Sequence, residues 1–186
     1  PWSINNNSQI ENDYLLTGCS SILKSIECSI ALSKILNKTE NIEKWKKAHL
    51  LLSNAIQDPD GKFDLIKDRK RFSMDWYYPI LSGCLKQDEK SYYINKIFKD
   101  FYLDGIGIKC VIEEPWVTVA ETSEFILALM CAGYDDEAKR LLFDVINISD
   151  EEGIPFMGWQ YEQNIFWPEE KPSWTAAALM LSADCV

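Results

Sequence analysis

Histidine is nearly absent from this sequence: His49 stands alone among 186 residues. Ser-His-Asp catalysis and zinc sites built from Cys and His therefore lose their usual base and ligand, so neither a metal nor a cofactor is expected. His49 itself lies in Lys46-Lys47-Ala48-His49-Leu50-Leu51-Leu52 and reads as a helix-surface residue. The six cysteines, Cys19, Cys28, Cys84, Cys110, Cys131 and Cys185, never take a C-x-x-C spacing. Most sit among apolar residues, where a free thiol behaves as a small hydrophobe, and a reduced, cytoplasmic protein is expected. Basic residues are scarce too, with 19 Lys and Arg against 29 Asp and Glu for a net charge of -10. The run Lys67-Asp68-Arg69-Lys70-Arg71 reads as a solvated loop before a helix, and nucleic acid is excluded as a partner because that affinity rests on neutralising phosphates. No run of about 18 apolar residues predicts a transmembrane helix. The N-terminus lacks the basic-then-apolar pattern of a signal peptide. A first residue Pro1, rather than Met, points to a chain trimmed from a longer protein.

What is present is a folding composition, 47% apolar with 12% aromatic residues. Residues 1–13 are polar and rich in Asn and read as a loop or linker, which leaves residues 14–186 as one domain. From there two kinds of helix alternate. Apolar helices run from about Ser20 to Leu32, Asp75 to Leu85, Trp116 to Ala132 and Trp174 to Cys185. Amphipathic ones run from Glu43 to Ile56, Glu89 to Tyr102 and Asp136 to Ile148, with Thr39, Asp88 and Asp135 as expected N-caps. Corresponding points of the apolar helices fall at residues 26, 72, 116 and 174, an irregular helical-hairpin repeat. Glycine loops follow the amphipathic helices, and the third, from Asp150 to Trp167, is long enough for a short β-hairpin or a lid. A helix apolar on all sides must be buried all round, whereas an amphipathic one faces water. The alternation therefore predicts an all-α protein with inner and outer layers, an α/α toroid of which about three and a half hairpins are present.

The densest chemical signal is Arg71-Phe72-Ser73-Met74-Asp75-Trp76-Tyr77-Tyr78-Pro79, four aromatics round one carboxylate at a helix start. Asp75 has two readings: a desolvated general acid or a helix N-cap. Glu121 is the second candidate acid, though Thr118-Val119-Ala120-Glu121 also reads as a capping box. Glu124 follows one turn later among apolar residues and needs a partner, while Glu113 and Glu114 read as solvated. The aromatics Trp76, Tyr77, Tyr78, Trp116, Trp159, Trp167 and Trp174 fall at helix starts or in the long loop. Singly, each suits core packing; as a set round one mouth they suit sugar rings or an isoprenoid chain.

Three of these stretches carry a resemblance. Arg71 to Pro79, Trp116-Val117-Thr118-Val119-Ala120-Glu121-Thr122 and Trp174-Thr175-Ala176-Ala177-Ala178 are similar to bacterial prenyltransferase-like toroid proteins. Gln57-Asp58-Pro59-Asp60-Gly61-Lys62-Phe63 looks like the Q-x-x-x-G-x-W/F repeat of terpene cyclases of the squalene–hopene type. The resemblance implies a toroid scaffold with an aromatic-lined cavity, an isoprenoid ligand, and acid catalysis by Asp75 with cation–π support. The acidic D-x-D-D run of those cyclases and the Asp, Cys and His zinc ligands of protein prenyltransferases are both missing. A glycan reading stands beside it, in which Asp75 and Glu121 flank a glycosidic bond. A third reading is a non-catalytic helical-repeat binding protein. In each, a complete toroid needs further hairpins, from a removed N-terminal part or from a second copy in a homo-oligomer.

Overall fold

The computed structural model describes residues 9, 10, 12–66 and 68–186. The segment read as a linker lies outside the described residues at positions 1–8 and 11, as does Lys67 of the basic run. At the segment's end the buried Asp13 carboxylate accepts the backbone N–H groups of Tyr14 (3.1 Å), Leu65 (2.9 Å) and Ile66 (3.2 Å).

Among the described residues seven helices form: α1 (Leu16–Ile35), α2 (Ile42–Gln57), α3 (Met74–Leu81), α4 (Gln87–Asp100), α5 (Val119–Ala132), α6 (Asp135–Val145) and α7 (Ser173–Cys185). Helices α1, α3, α5 and α7 pack side by side in chain order, and α2, α4 and α6 each lie against the helix before them. The shared core is built from fully buried Leu23, Ile56, Tyr77, Ile80, Ile97, Phe125, Ile126 and Leu129. Helix α5, apolar on most sides and flanked by both α3 and α7, buries nine of its residues. It stops at Gly133, whose φ of +78° suits glycine; there the N–H groups of Gly133 and Tyr134 return to the carbonyls of Met130 and Leu129. Helix α3 tolerates Pro79, whose missing N–H leaves only a first-turn carbonyl without its usual donor, and it ends just before Gly83 at φ +81°.

The rule that an apolar helix is buried all round holds for α5 and fails for α1 and α7. Each of these has an inner-layer neighbour on one side, so Ile22, Leu32 and Ile35 of α1 and Trp174, Met180 and Leu181 of α7 lie exposed. The expected caps also fail. Thr39 gives α2 a carbonyl acceptor for Ile42 N–H rather than a side-chain cap. The start of α4 is closed instead by the Glu89 carboxylate on Lys86 N–H at 2.7 Å. Asp88 and Asp135 lie inside their helices' first turns, where a negative charge meets the positive end of the dipole.

The protein is mostly helical rather than all-α. Strands β1 (Tyr102–Leu103) and β2 (Gly107–Ile108) form one hairpin, and β3 (Trp116–Thr118), β4 (Gly158–Gln160) and β5 (Ile165–Phe166) form an antiparallel sheet in that order. Trp116-Val117-Thr118 read as a helix start, but these aromatic and β-branched residues pair with Gln160, Trp159 and Gly158, and the helix begins at Val119. The long loop supplies the β4–β5 hairpin. Among the described residues no helix is long and apolar enough to cross a membrane.

Candidate active site

A cavity of about 790 Å³ opens where α2 ends and α3 and α4 begin, lined among others by Gln57, Phe63, Asp64, Arg69, Asp75 and Trp76. Asp75 enters it from the first turn of α3 with its side chain only 6% exposed. The carboxylate accepts the Thr17 hydroxyl of α1 on Oδ1 and faces Arg69 Nε at 3.4 Å from Oδ2. The N-cap position belongs to Ser73, so Asp75 spends its oxygens on other elements and not on its own helix end. Burial pushes its pKa up to about 6; Thr17 and Arg69 pull the other way, and the nearby charge of Asp64 adds to the rise.

Arg69 corrects the reading of the basic run as solvated. Its side chain is 19% exposed, with the guanidinium 4.0 Å from the Phe72 ring centre as well as against Asp75. Trp76 is fixed by its indole N–H on the Lys70 carbonyl at 2.9 Å and lies 5.9 Å, centre to centre, from Tyr93 on the same cavity wall.

Glu121 and Glu124 lie elsewhere, at the interface of α5 with α3. Tyr77 Oη donates to Glu124 Oε2 at 2.6 Å and Tyr78 Oη to Oε1 at 2.9 Å, which gives this acid the partners its burial requires. Burial raises the Glu124 pKa, the two tyrosines lower it, and Glu121 raises it again. Glu121 accepts the Cys110 thiol at 3.4 Å, and burial with the Glu121 charge pushes that thiol up to about 12. Thr118 makes no side-chain cap bond, so the capping box is not formed. Glu121, Glu124, Tyr77 and Tyr78 do not line the cavity that holds Asp75 and Trp76.

The remaining aromatics separate as well. Trp116 and Trp167 line a second groove of about 540 Å³ with Gln160, Gln163 and Ile165, and Trp116 Nε1 donates to the Trp167 carbonyl at 2.5 Å. Trp159 packs edge-on against Phe166 at 4.9 Å, and Trp174 is 55% exposed on α7. Glu113 pairs with Arg71 at the surface. All six cysteines are unpaired, and Cys28, Cys131 and Cys185 are exposed rather than packed among apolar residues. Among the described residues no three His, Cys, Asp or Glu side chains converge as metal ligands would.

No family model matches the chain. The chain is similar to a glycosidase. Over 179 residues it is 37% identical to the MMP endo-(1,4)-3-O-methyl-alpha-D-mannosidase of Mycolicibacterium hassiacum, covering 96% of this chain and 48% of that protein. It thus spans about half the length of the curated relative it matches. This similarity to a mannosidase overturns the prenyltransferase-like and terpene-cyclase-like reading and, with it, the isoprenoid ligand. The motifs behind that reading mark structural needs instead. Gly61 takes φ +69° in a turn, and Trp116-Val117-Thr118 forms a sheet strand. Neither need specifies a substrate.

Sequence reasoning missed Asp64, Thr17 and Tyr93. Asp64 follows the glycine motif directly, in a turn at φ +53°, with its N–H on the Tyr14 carbonyl at 2.9 Å. Burial, followed by the charges of Asp13 and Asp68, raises its pKa against Leu16 N–H and Arg69. Nothing in hydrophobic periodicity marks such a position.

Proposed function

We propose that this chain belongs to a glycoside hydrolase that cuts a neutral glycan internally, with Asp75 as its general acid. The observation that carries the reading is the 37% identity to an endo-mannosidase across 96% of the chain. The chemistry of the cavity supports it. A carboxyl with a pKa of about 6 is partly protonated near neutrality and can give its proton to the glycosidic oxygen as the C–O bond breaks. Trp76 and Tyr93 offer the apolar faces on which sugar rings and O-methyl groups rest. A net charge of -10 disfavours anionic glycans. The substrate is therefore an α-(1,4)-linked mannan carrying 3-O-methyl groups, and the Trp116–Trp167 groove is a second place where a long chain is held. Glu121 and Glu124, with Tyr77 and Tyr78, act as an acid cluster fixing α3 on α5 rather than as reacting groups. Residues 14–186 form one domain, and its row of inner helices belongs to an α/α toroid completed by further hairpins of a longer polypeptide. That view is in keeping with the relative's twofold length and the exposed apolar faces of α1 and α7.

The test is incubation of the full-length protein with 3-O-methylated α-(1,4)-mannan and with its unmethylated counterpart, followed by mass analysis of the products. Internal fragments from the methylated chain are expected, and Asp75→Asn should lower their rate by ~100-fold or more. Absence of cleavage would remove the reading; full activity of Asp75→Asn would remove Asp75 from it.

A further inference from the structure

We propose that Asp64 is the carboxylate that works opposite Asp75, taking the proton of the water that adds to the anomeric carbon. This deepens the glycosidase reading and rests on it. Both side chains line the one cavity, although they come from unrelated elements eleven positions apart.

Asp64 is held with the rigidity a reacting group needs. Its N–H is bound by Tyr14, its Oδ2 accepts Leu16 N–H at 3.4 Å, and the next two backbone N–H groups are tied to Asp13. A purely structural role, holding the start of α1, occupies Oδ2 alone. Oδ1 is buried and accepts no hydrogen bond from the described residues. Leaving a carboxylate oxygen desolvated and unpaired is costly unless something in the cavity uses it. A water poised for attack is such a partner.

Charge divides the labour between the two acids. Arg69 acts on both carboxyls and stabilises the ionised form of each. Asp13 and Asp68 bear on Asp64, and repulsion from the Asp64 charge bears on Asp75. Burial and that repulsion favour a proton on one member of the pair over two bare charges, which suits one acid and one base. Asp75, the more deeply buried of the two with its side chain 6% exposed, is the acid. Asp64, whose Oδ2 accepts the Leu16 N–H, is the base. The step balances as a hydrolysis. Asp75 protonates the glycosidic oxygen, which keeps the electron pair of the breaking C–O bond. Asp64 removes a proton from the water whose oxygen bonds the anomeric carbon; Asp64 then releases that proton to solvent, and solvent returns one to Asp75.

The experiment compares the full-length protein with its Asp64→Asn, Asp64→Ala and Asp75→Asn variants on 3-O-methylated α-(1,4)-mannan. Asparagine tolerates the left-handed backbone and can still accept Leu16 N–H, so Asp64→Asn keeps the fold. Its kcat should fall by ~100-fold or more with an unchanged unfolding midpoint. Azide, which needs no base, should restore turnover to Asp64→Ala and appear as a glycosyl azide. Full activity of Asp64→Asn beside an inactive Asp75→Asn overturns the assignment and leaves the glycosidase reading standing. If the unaltered protein cleaves nothing, both fall. Independently of turnover, carboxyl carbon NMR judges the pairing: the Asp75 titration midpoint should drop in Asp64→Asn, and a midpoint that does not drop overturns the assignment.

Discussion

At the scale of single residues, the proton of the buried Asp75 bears on stability as well as on the proposed chemistry. Its carboxyl ionises near pH 6 in the fold and near 3.8 when exposed, because burial disfavours the charge. Between these values the folded state binds more protons than the unfolded one, so stability falls as pH rises through the window. Unfolding by urea at pH 4 and pH 7 should show this against Asp75→Asn, which cannot titrate there. The difference in stability should move in favour of the variant by about 2 kcal/mol between the two pH values. A constant difference would place Asp75 in a wetter setting than described. The residue itself was legible in the sequence, as an acid set among Trp76, Tyr77 and Tyr78. That it does not cap its helix was not, because the Thr17 hydroxyl that it accepts arrives from 58 positions away. Asp64 was illegible for the same reason. Its neighbours in sequence describe a turn, and its neighbours in space arrive from α1 and from Arg69.

At the scale of elements, hydrophobic periodicity located each of the seven helices among the described residues, and its errors lie where long-range pairing overrides local pattern. The start of α5 is the clearest case, since Trp116-Val117-Thr118 becomes strand only because β4 comes back to it. That pairing depends on the smallest residue. A Cβ on Gly158 would stand 2.5 Å from the Val117 carbonyl oxygen and 2.6 Å from the Trp116 indole nitrogen. Gly158→Ala should therefore cost about 2 kcal/mol in chemical denaturation. It should also open the Trp116–Trp167 groove, weakening binding of long glycans more than of short ones. An alanine variant of wild-type stability would show that the strands can part without loss. Capping was the least readable feature: Asp88 and Asp135 are the right residue types near the right places, yet both lie within the first turn rather than before it.

At the scale of the whole molecule, the alternation of apolar and amphipathic helices anticipated an inner row covered by an outer one, and α1, α3, α5 and α7 do pack in that row. The same pattern was silent on chemistry, since aromatic helix starts line cavities for lipids and for sugars alike. The mannosidase similarity, not the pattern, turned the reading to glycans. The row has a further consequence for how the molecule opens. Helices that pack in sequence share out their stability by neighbour, as in repeat proteins, so the central members are held from two sides and the outer ones from one. Deuterium uptake by this 186-residue chain should then be slowest at the amides of α3 and α5 and should advance inward from α1–α2 and α7. Equal rates along the row would mean instead that it melts as a single unit.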